Sequence, residues 1–241
     1  MNAMTTAAIT RFGAYAEMPA VMLDDALLRI ETDPGILHGA WSLGEGYAFA
    51  SVDAYGGEPC WLNVVGPAQA AAALTEIALA ELGAQCFGIT VPRGVDTARW
   101  SGGREAGEWD LMRCDEPPAF QPGEERVAHL TDLAAVQAFL DQVNPSHSVR
   151  ADHPEVERWM GVAQESSGTL LAVGAFTRRR AGTGYLASIA TAEQARGQGL
   201  GGAVTAALTR HAFATGDALC TLAHFHPNEP ARRMYLRLGY R

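Results

Sequence analysis

Long basic tracts, paired cysteines and a membrane-length apolar run are all missing from this 241-residue chain. Net charge is -9, and the only basic cluster is Arg178-Arg179-Arg180, followed by Ala181-Gly182, which reads as a solvated hairpin tip. Such a chain has no broad face for nucleic-acid phosphates. The four cysteines, Cys60, Cys86, Cys114 and Cys220, form neither a CxxC pair nor a metal-ligand spacing. They read as buried free thiols of a cytoplasmic protein, with no metal. No basic segment with an apolar run opens the chain, so no signal peptide is expected. The most apolar stretch, Ala68 to Leu82, is interrupted by Thr75, Glu76 and Glu81 and is too short for a bilayer. It reads as a buried amphipathic helix, and no membrane partner is expected.

What is present is an ordinary globular composition, 48% hydrophobic and 19% charged, long enough for one large or two small domains. Three prolines and a glycine fall between Asp115 and Glu125 and forbid regular structure, while acids solvate the segment. The linker is therefore placed at residues 116–125, between domains at 1–115 and 126–241. After it come a short strand at Arg126 to Leu130 and a helix on Leu133, Val136, Phe139, Leu140 and Val143, capped by Thr131 or Asp132. A second helix is expected from about Pro154, then a hairpin of Trp159 to Glu165 and Thr169 to Thr177, and a strand at Gly184 to Thr191. A glycine-rich loop leads into a helix at Leu200 to Phe213, a strand at Ala218 to His224 and a helix at Glu229 to Leu238. The first half repeats part of this order, with strands at Tyr47 to Ala54, Cys60 to Val65 and Cys86 to Val91 around the Ala68 to Leu82 helix. An internal duplication follows, with Trp109 to Cys114 as the closing strand of the first copy.

The two copies differ at the strand-to-helix junction. The first has Gly66-Pro67-Ala68-Gln69; the second has Gln194-Ala195-Arg196-Gly197-Gln198-Gly199-Leu200-Gly201-Gly202. Glycines let the backbone aim its N–H groups at one point, and the helix behind adds unsatisfied donors and a positive dipole end, a combination suited to pyrophosphate. Arg196 adds a charged contact or holds the loop. Gly197, Gly199 and Gly202 also fit a dinucleotide GxGxxG pattern, but in that fold the glycines follow the strand directly, whereas here the six residues Thr191 to Arg196 come before them, and the next strand ends without an acid for a ribose. A second signal runs from Asn228 to Tyr240: Asn228 suits a helix N-cap, Pro230 the first turn and Gly239 the stop.

Together these segments resemble the GNAT acyltransferase superfamily. Its phosphate motif, Arg/Gln-x-x-Gly-x-Gly/Ala, is matched by Arg196, Gly199 and Gly201, and its later signature by Asn228, Ala231, Tyr235, Gly239 and Tyr240. The duplicated layout resembles tandem members from actinobacteria with a degenerate first copy. The resemblance implies an α/β (α+β) fold: a central mixed, mostly antiparallel sheet flanked by helices, in two GNAT-like halves. It implies acetyl-CoA as co-substrate, held in the second half by Ile189, Ala190 and Thr191 along the pantetheine and by Arg196, Gly197, Gln198, Gly199, Leu200 and Gly201 at the pyrophosphate. Asn228 and Ala231 would meet the pantetheine and Tyr235 would sit at the thioester sulfur as the catalytic acid. The implied reaction is direct attack by a small-molecule or peptide amine in a ternary complex, and the implied assembly a homodimer. A non-catalytic acyl-CoA sensor or interaction module is the alternative.

The sequence departs from the family twice. Members often carry a glutamate base on the strand before the phosphate loop, but Tyr185-Leu186-Ala187-Ser188-Ile189-Ala190 has no acid, which leaves His224 and His226 as candidates. The family also continues into a closing pair of strands where this sequence reaches Arg241, so either the chain is cut short or those strands come from elsewhere.

Overall fold

A computed structural model of the chain describes residues 8–32, 37–52, 60–100, 107–179 and 183–241. It divides into two units, Met1–Gly107 and Glu108–Arg241.

In the first unit β1 (Thr10–Phe12), β2 (Gly39–Leu43), β3 (Gly46–Val52), β4 (Cys60–Val65) and β5 (Cys86–Thr90) form a five-stranded sheet in that order. Every pair is antiparallel except β4–β5. The parallel crossover is α3 (Ala68–Leu82), while α1 (Ala20–Leu23) and α2 (Ala26–Glu31) lie between β1 and β2. Strand alternation distributes the core over both faces of the sheet. Trp41, Ala48, Ala50, Leu62 and Val64 cluster with Leu74 and Ala78 of α3, whereas Ala40, Tyr47 and Phe49 cluster with Met18, Met22 and Leu28. Leu74 is fully buried, so truncation to alanine should cost about 2–5 kcal/mol.

The second unit contains β6 (Trp109–Cys114), β7 (Ala128–Leu130), α4 (Leu133–Val143), β8 (Val156–Ala163), β9 (Leu170–Arg179) and β10 (Thr183–Thr191). It finishes with α5 (Leu200–Ala214), β11 (Cys220–Phe225) and α6 (Glu229–Arg237). Its six-stranded sheet runs β6-β11-β10-β9-β8-β7, again with a single parallel pair, β10–β11. Consecutive residues Ala172 to Phe176 of β9 are all buried, as expected of a strand covered on both faces. Strands β7 to β11 repeat the order and pairing senses of β1 to β5, with α5 as the counterpart of α3. The expected architecture of two mixed, helix-flanked sheets is therefore what the chain adopts.

Several local expectations are corrected. The segment from Asn144 to Glu155 consists of turns, and Val156 opens β8, so there is no second helix at Pro154. Strand β6 does not close the first copy: it pairs antiparallel with β11, from Cys114 opposite Cys220 to Trp109 opposite Phe225. The edge beside β11 is thus covered by a strand that precedes the linker in sequence. Nor are the linker acids all solvated, since Glu124 is buried, accepts the Gln121 N–H at 2.8 Å and is ion-paired with Arg210 of α5. Phe120 packs beneath the same guanidinium at 5.1 Å. Arg178 is half-buried rather than a solvated tip, paired with Glu157 and Asp217 at 3.3 Å each, and Arg180 lies outside the described residues.

Candidate functional site

Strands β10 and β11 stay paired over only Gly184–Leu186 and Cys220–Leu222. Beyond Leu186 the register of β10 with β9 shifts between Ala187 and Ala190, and Ser188 adopts φ 50. A non-glycine residue there carries about 1–2 kcal/mol of strain. The Ser188 hydroxyl offsets it by accepting the Val149 N–H and donating to the Val149 carbonyl, each at 3.0 Å. This two-way pin ties the turn segment after α4 to the bulge. The result is a V between residues 187–191 and 223–225, in which β10 has no partner on its β11 side while Ala190 and Thr191 still pair with β9.

At the open end of β10 a short 3-10 turn, Glu193–Ala195, delivers the chain into the glycine loop. Gly197 and Gly199 sit at φ 77 and φ 80, and a Cβ added to either would meet nothing within 4 Å. Gly199 is the N-cap of α5 and supplies no side-chain hydrogen bond, so the first-turn donors face the opening uncapped. Arg196 is exposed beside them. The positive end of α5, free N–H groups and a guanidinium thus converge in an otherwise acidic chain.

The other wall is α6. Asn228 caps it through Oδ1, which accepts the Ala231 N–H at 3.3 Å and leaves the amide donors available. Seven residues on, Tyr235 is buried, with its ring 5.8 Å from that of His224 and 5.9 Å from that of Tyr240. Burial, helped by neighbouring Tyr185, raises the Tyr235 pKa above the ordinary tyrosine value. The hydroxyl is therefore a proton donor at neutral pH, not a base.

These parts enclose a cavity of about 870 Å³. Ile189, Ala190 and Thr191 border it from β10, Arg196, Gly197, Gln198, Gly199, Leu200 and Gly201 from the junction, and Asn228, Ala231 and Tyr235 from α6. The cofactor-binding residues picked from the sequence and Tyr235 are thus brought to one cavity, whereas the candidate bases His224 and His226 do not border it. Sequence reasoning missed Gln121 and Pro122, held there by the Glu124–Arg210 pair, and Val143 and Asn144 at the end of α4. Nothing local marks them, because an acid in a proline-rich stretch reads as solvated until its distant arginine is known. Cys220 is no nucleophile: burial pushes its thiol up to about 12, and Tyr240 donates to its sulfur at 3.4 Å. Among the described residues no cluster of His, Cys, Asp and Glu could hold a metal, and no helix is long and apolar enough to cross a membrane.

Fold and site together define a chain of two mixed sheets whose second unit opens a glycine-lined cavity beside a splayed strand pair. The model of the acetyltransferase (GNAT) family matches residues 114–240, more than half of the chain, and the chain belongs to that family. Acyl transfer is the general chemistry this membership carries. Among solved structures, the chain is similar to a GCN5-related N-acetyltransferase from Sphaerobacter thermophilus, with TM-score 0.53 and 16% identity over 84% of this chain and 76% of that one. It is also similar to one from Kribbella flavida, with TM-score 0.51 and 18% identity over 82% and 83% of the two chains. At these identities the likeness concerns the fold, and it extends over more residues than either unit holds. No curated protein matches the chain.

Proposed function

We propose that this chain transfers an acetyl group from acetyl-CoA to an amine acceptor, a small molecule or a peptide, by direct attack in a ternary complex. The observation that carries the proposal is the single cavity in which an uncapped glycine junction, a bulged strand unpaired on its β11 side and the buried hydroxyl of Tyr235 all meet. The junction from Arg196 to Gly201 holds the pyrophosphate, the free edge of β10 from Ile189 to Thr191 takes the pantetheine amides, and Asn228 adds a donor from the α6 cap. Tyr235 protonates the departing thiolate. Tyr235 stays protonated at neutral pH and so has a proton to give, and its raised pKa, above the roughly 8.5 of an aliphatic thiol, makes that transfer uphill. The first unit is a degenerate copy with no cofactor site, in the manner of tandem family members.

Release of CoA thiol is the direct assay, run over small amines, polyamines, aminoglycosides and peptide N-termini. Acceptor-dependent release is expected. Saturable CoA binding with no turnover across the panel would instead establish an acyl-CoA sensor.

A further inference from the structure

His224 stands on the far arm of the V, on β11 beyond the last residue paired with β10. It is 5% exposed. Its Nδ1 lies 2.8 Å from the Phe225 carbonyl oxygen, and because a carbonyl only accepts, the proton sits on Nδ1. That leaves Nε2 as a bare lone pair, and this atom is buried with no partner. An orphaned polar atom at full burial is costly, and a catalytic role is one of the few things that account for it, beside strain or an ordered water or ion. His226, the other histidine at this end of the strand, is half-exposed and engaged through Nδ1 with Asp110 of β6 at 2.8 Å. Strand β10 carries no carboxylate, and Tyr235 is held protonated.

We propose, resting on the transfer reaction above, that His224 is the catalytic base, with Nε2 taking the proton of the acceptor nitrogen as that nitrogen attacks the acetyl carbonyl. The N–H bond breaks as the C–N bond forms, and the C–S bond breaks as the Tyr235 hydroxyl gives its proton to sulfur. Imidazolium and phenolate are then neighbours, with ring centroids 5.8 Å apart, and proton return from His224 to Tyr235 restores both. One proton has moved from amine to thiol, and no oxidant or reductant is required. His224 does not border the cavity of the free protein, so acceptor entry into the V must uncover Nε2. The titratable groups placed beside His224 include Tyr235 of α6, Asp110 opposite it on β6, and His226 two residues further on. Asp110 precedes the residues matched by the family model, so this corner is built partly by β6.

The test uses the full chain, acetyl-CoA and the amine that gives the highest thiol release in the acceptor panel. His224→Gln should lower kcat at least 100-fold and remove the acid limb of the pH profile, with CoA affinity changed less than twofold. His226→Gln should keep that limb. A His224→Gln enzyme within a few-fold of wild type and with the same profile overturns the base assignment while leaving the transfer reaction standing. No turnover by wild type with any amine overturns the reaction and the base with it. Should His224→Gln fail to fold, imidazole 15N spectra of the wild-type protein read the tautomer directly: a bare Nε2 supports the assignment, and a proton on Nε2 overturns it.

Discussion

At the β4–α3 junction Gly66 stands at φ 121, and a Cβ there would come within 2.5 Å of the Cα of Gly46. At the β10–α5 junction Gly197 and Gly199 also have positive φ, yet a Cβ on either would point into open space. Gly66 is a glycine because another strand presses against it. The other two are glycines because their backbone is left-handed, and they border the open cavity. The parallel pairs differ in the same sense: β4 and β5 remain paired up to Asn63 and Thr90, the last residue of β5, whereas β11 continues three residues past its last partner. Two units of one strand order thus hold a filled junction and an open one, and among the described residues only the open one is followed by a helix such as α6 with Tyr235.

Breaking the open junction should have the largest effect. Gly199→Glu sets a carboxylate against the phosphate position and strains a left-handed residue, and it should abolish CoA binding by calorimetry with the far-UV spectrum preserved. Next in size, Tyr235→Phe keeps the ring in its place and should lower kcat by about 10² to 10⁴ with CoA affinity nearly unchanged. Turnover within a few-fold of wild type, with chemistry limiting, would make Tyr235 a packing residue. Arg196→Ala should weaken CoA by roughly 1.5–3 kcal/mol if the guanidinium meets phosphate. A smaller loss would leave Arg196 the role of shaping the loop. Smallest for function is Gly66→Ala, which should cost at least about 1–3 kcal/mol of stability, through the backbone clash with Gly46 and the strained φ together, while leaving CoA affinity intact. A loss of CoA affinity in that variant would mean that the filled junction also serves the ligand.

Much of this contrast could be read from local chemistry. The glycine loop, the Asn228 cap and the hairpin of β8 and β9 are short-range patterns, and the folded chain carries them where periodicity placed them. What escaped was decided by distant partners. Trp109 to Cys114 alternates like a strand, but nothing within it says that its ladder lies with β11, more than 100 residues later. Pro154-Glu155-Val156-Glu157 looks like a helix start, yet Val156 already pairs with Thr177 and the segment runs on as β8. In that strand Gly161 has no room for a side chain, because a Cβ would lie 2.4 Å from the Ala172 carbonyl. The Ser188–Val149 pin and the buried Glu124–Arg210 pair are likewise long-range, and both shape walls of the cavity. Strands β1 and β2 were missed because each is brief and its register comes from its neighbours.

The central claim is that only the open junction holds CoA, and the stoichiometry of CoA binding to the full chain tests it most directly. Titration calorimetry should give one site per chain, lost in Gly199→Glu and retained in Gly66→Ala. Two sites per chain, or a site that survives Gly199→Glu in folded protein, would contradict it.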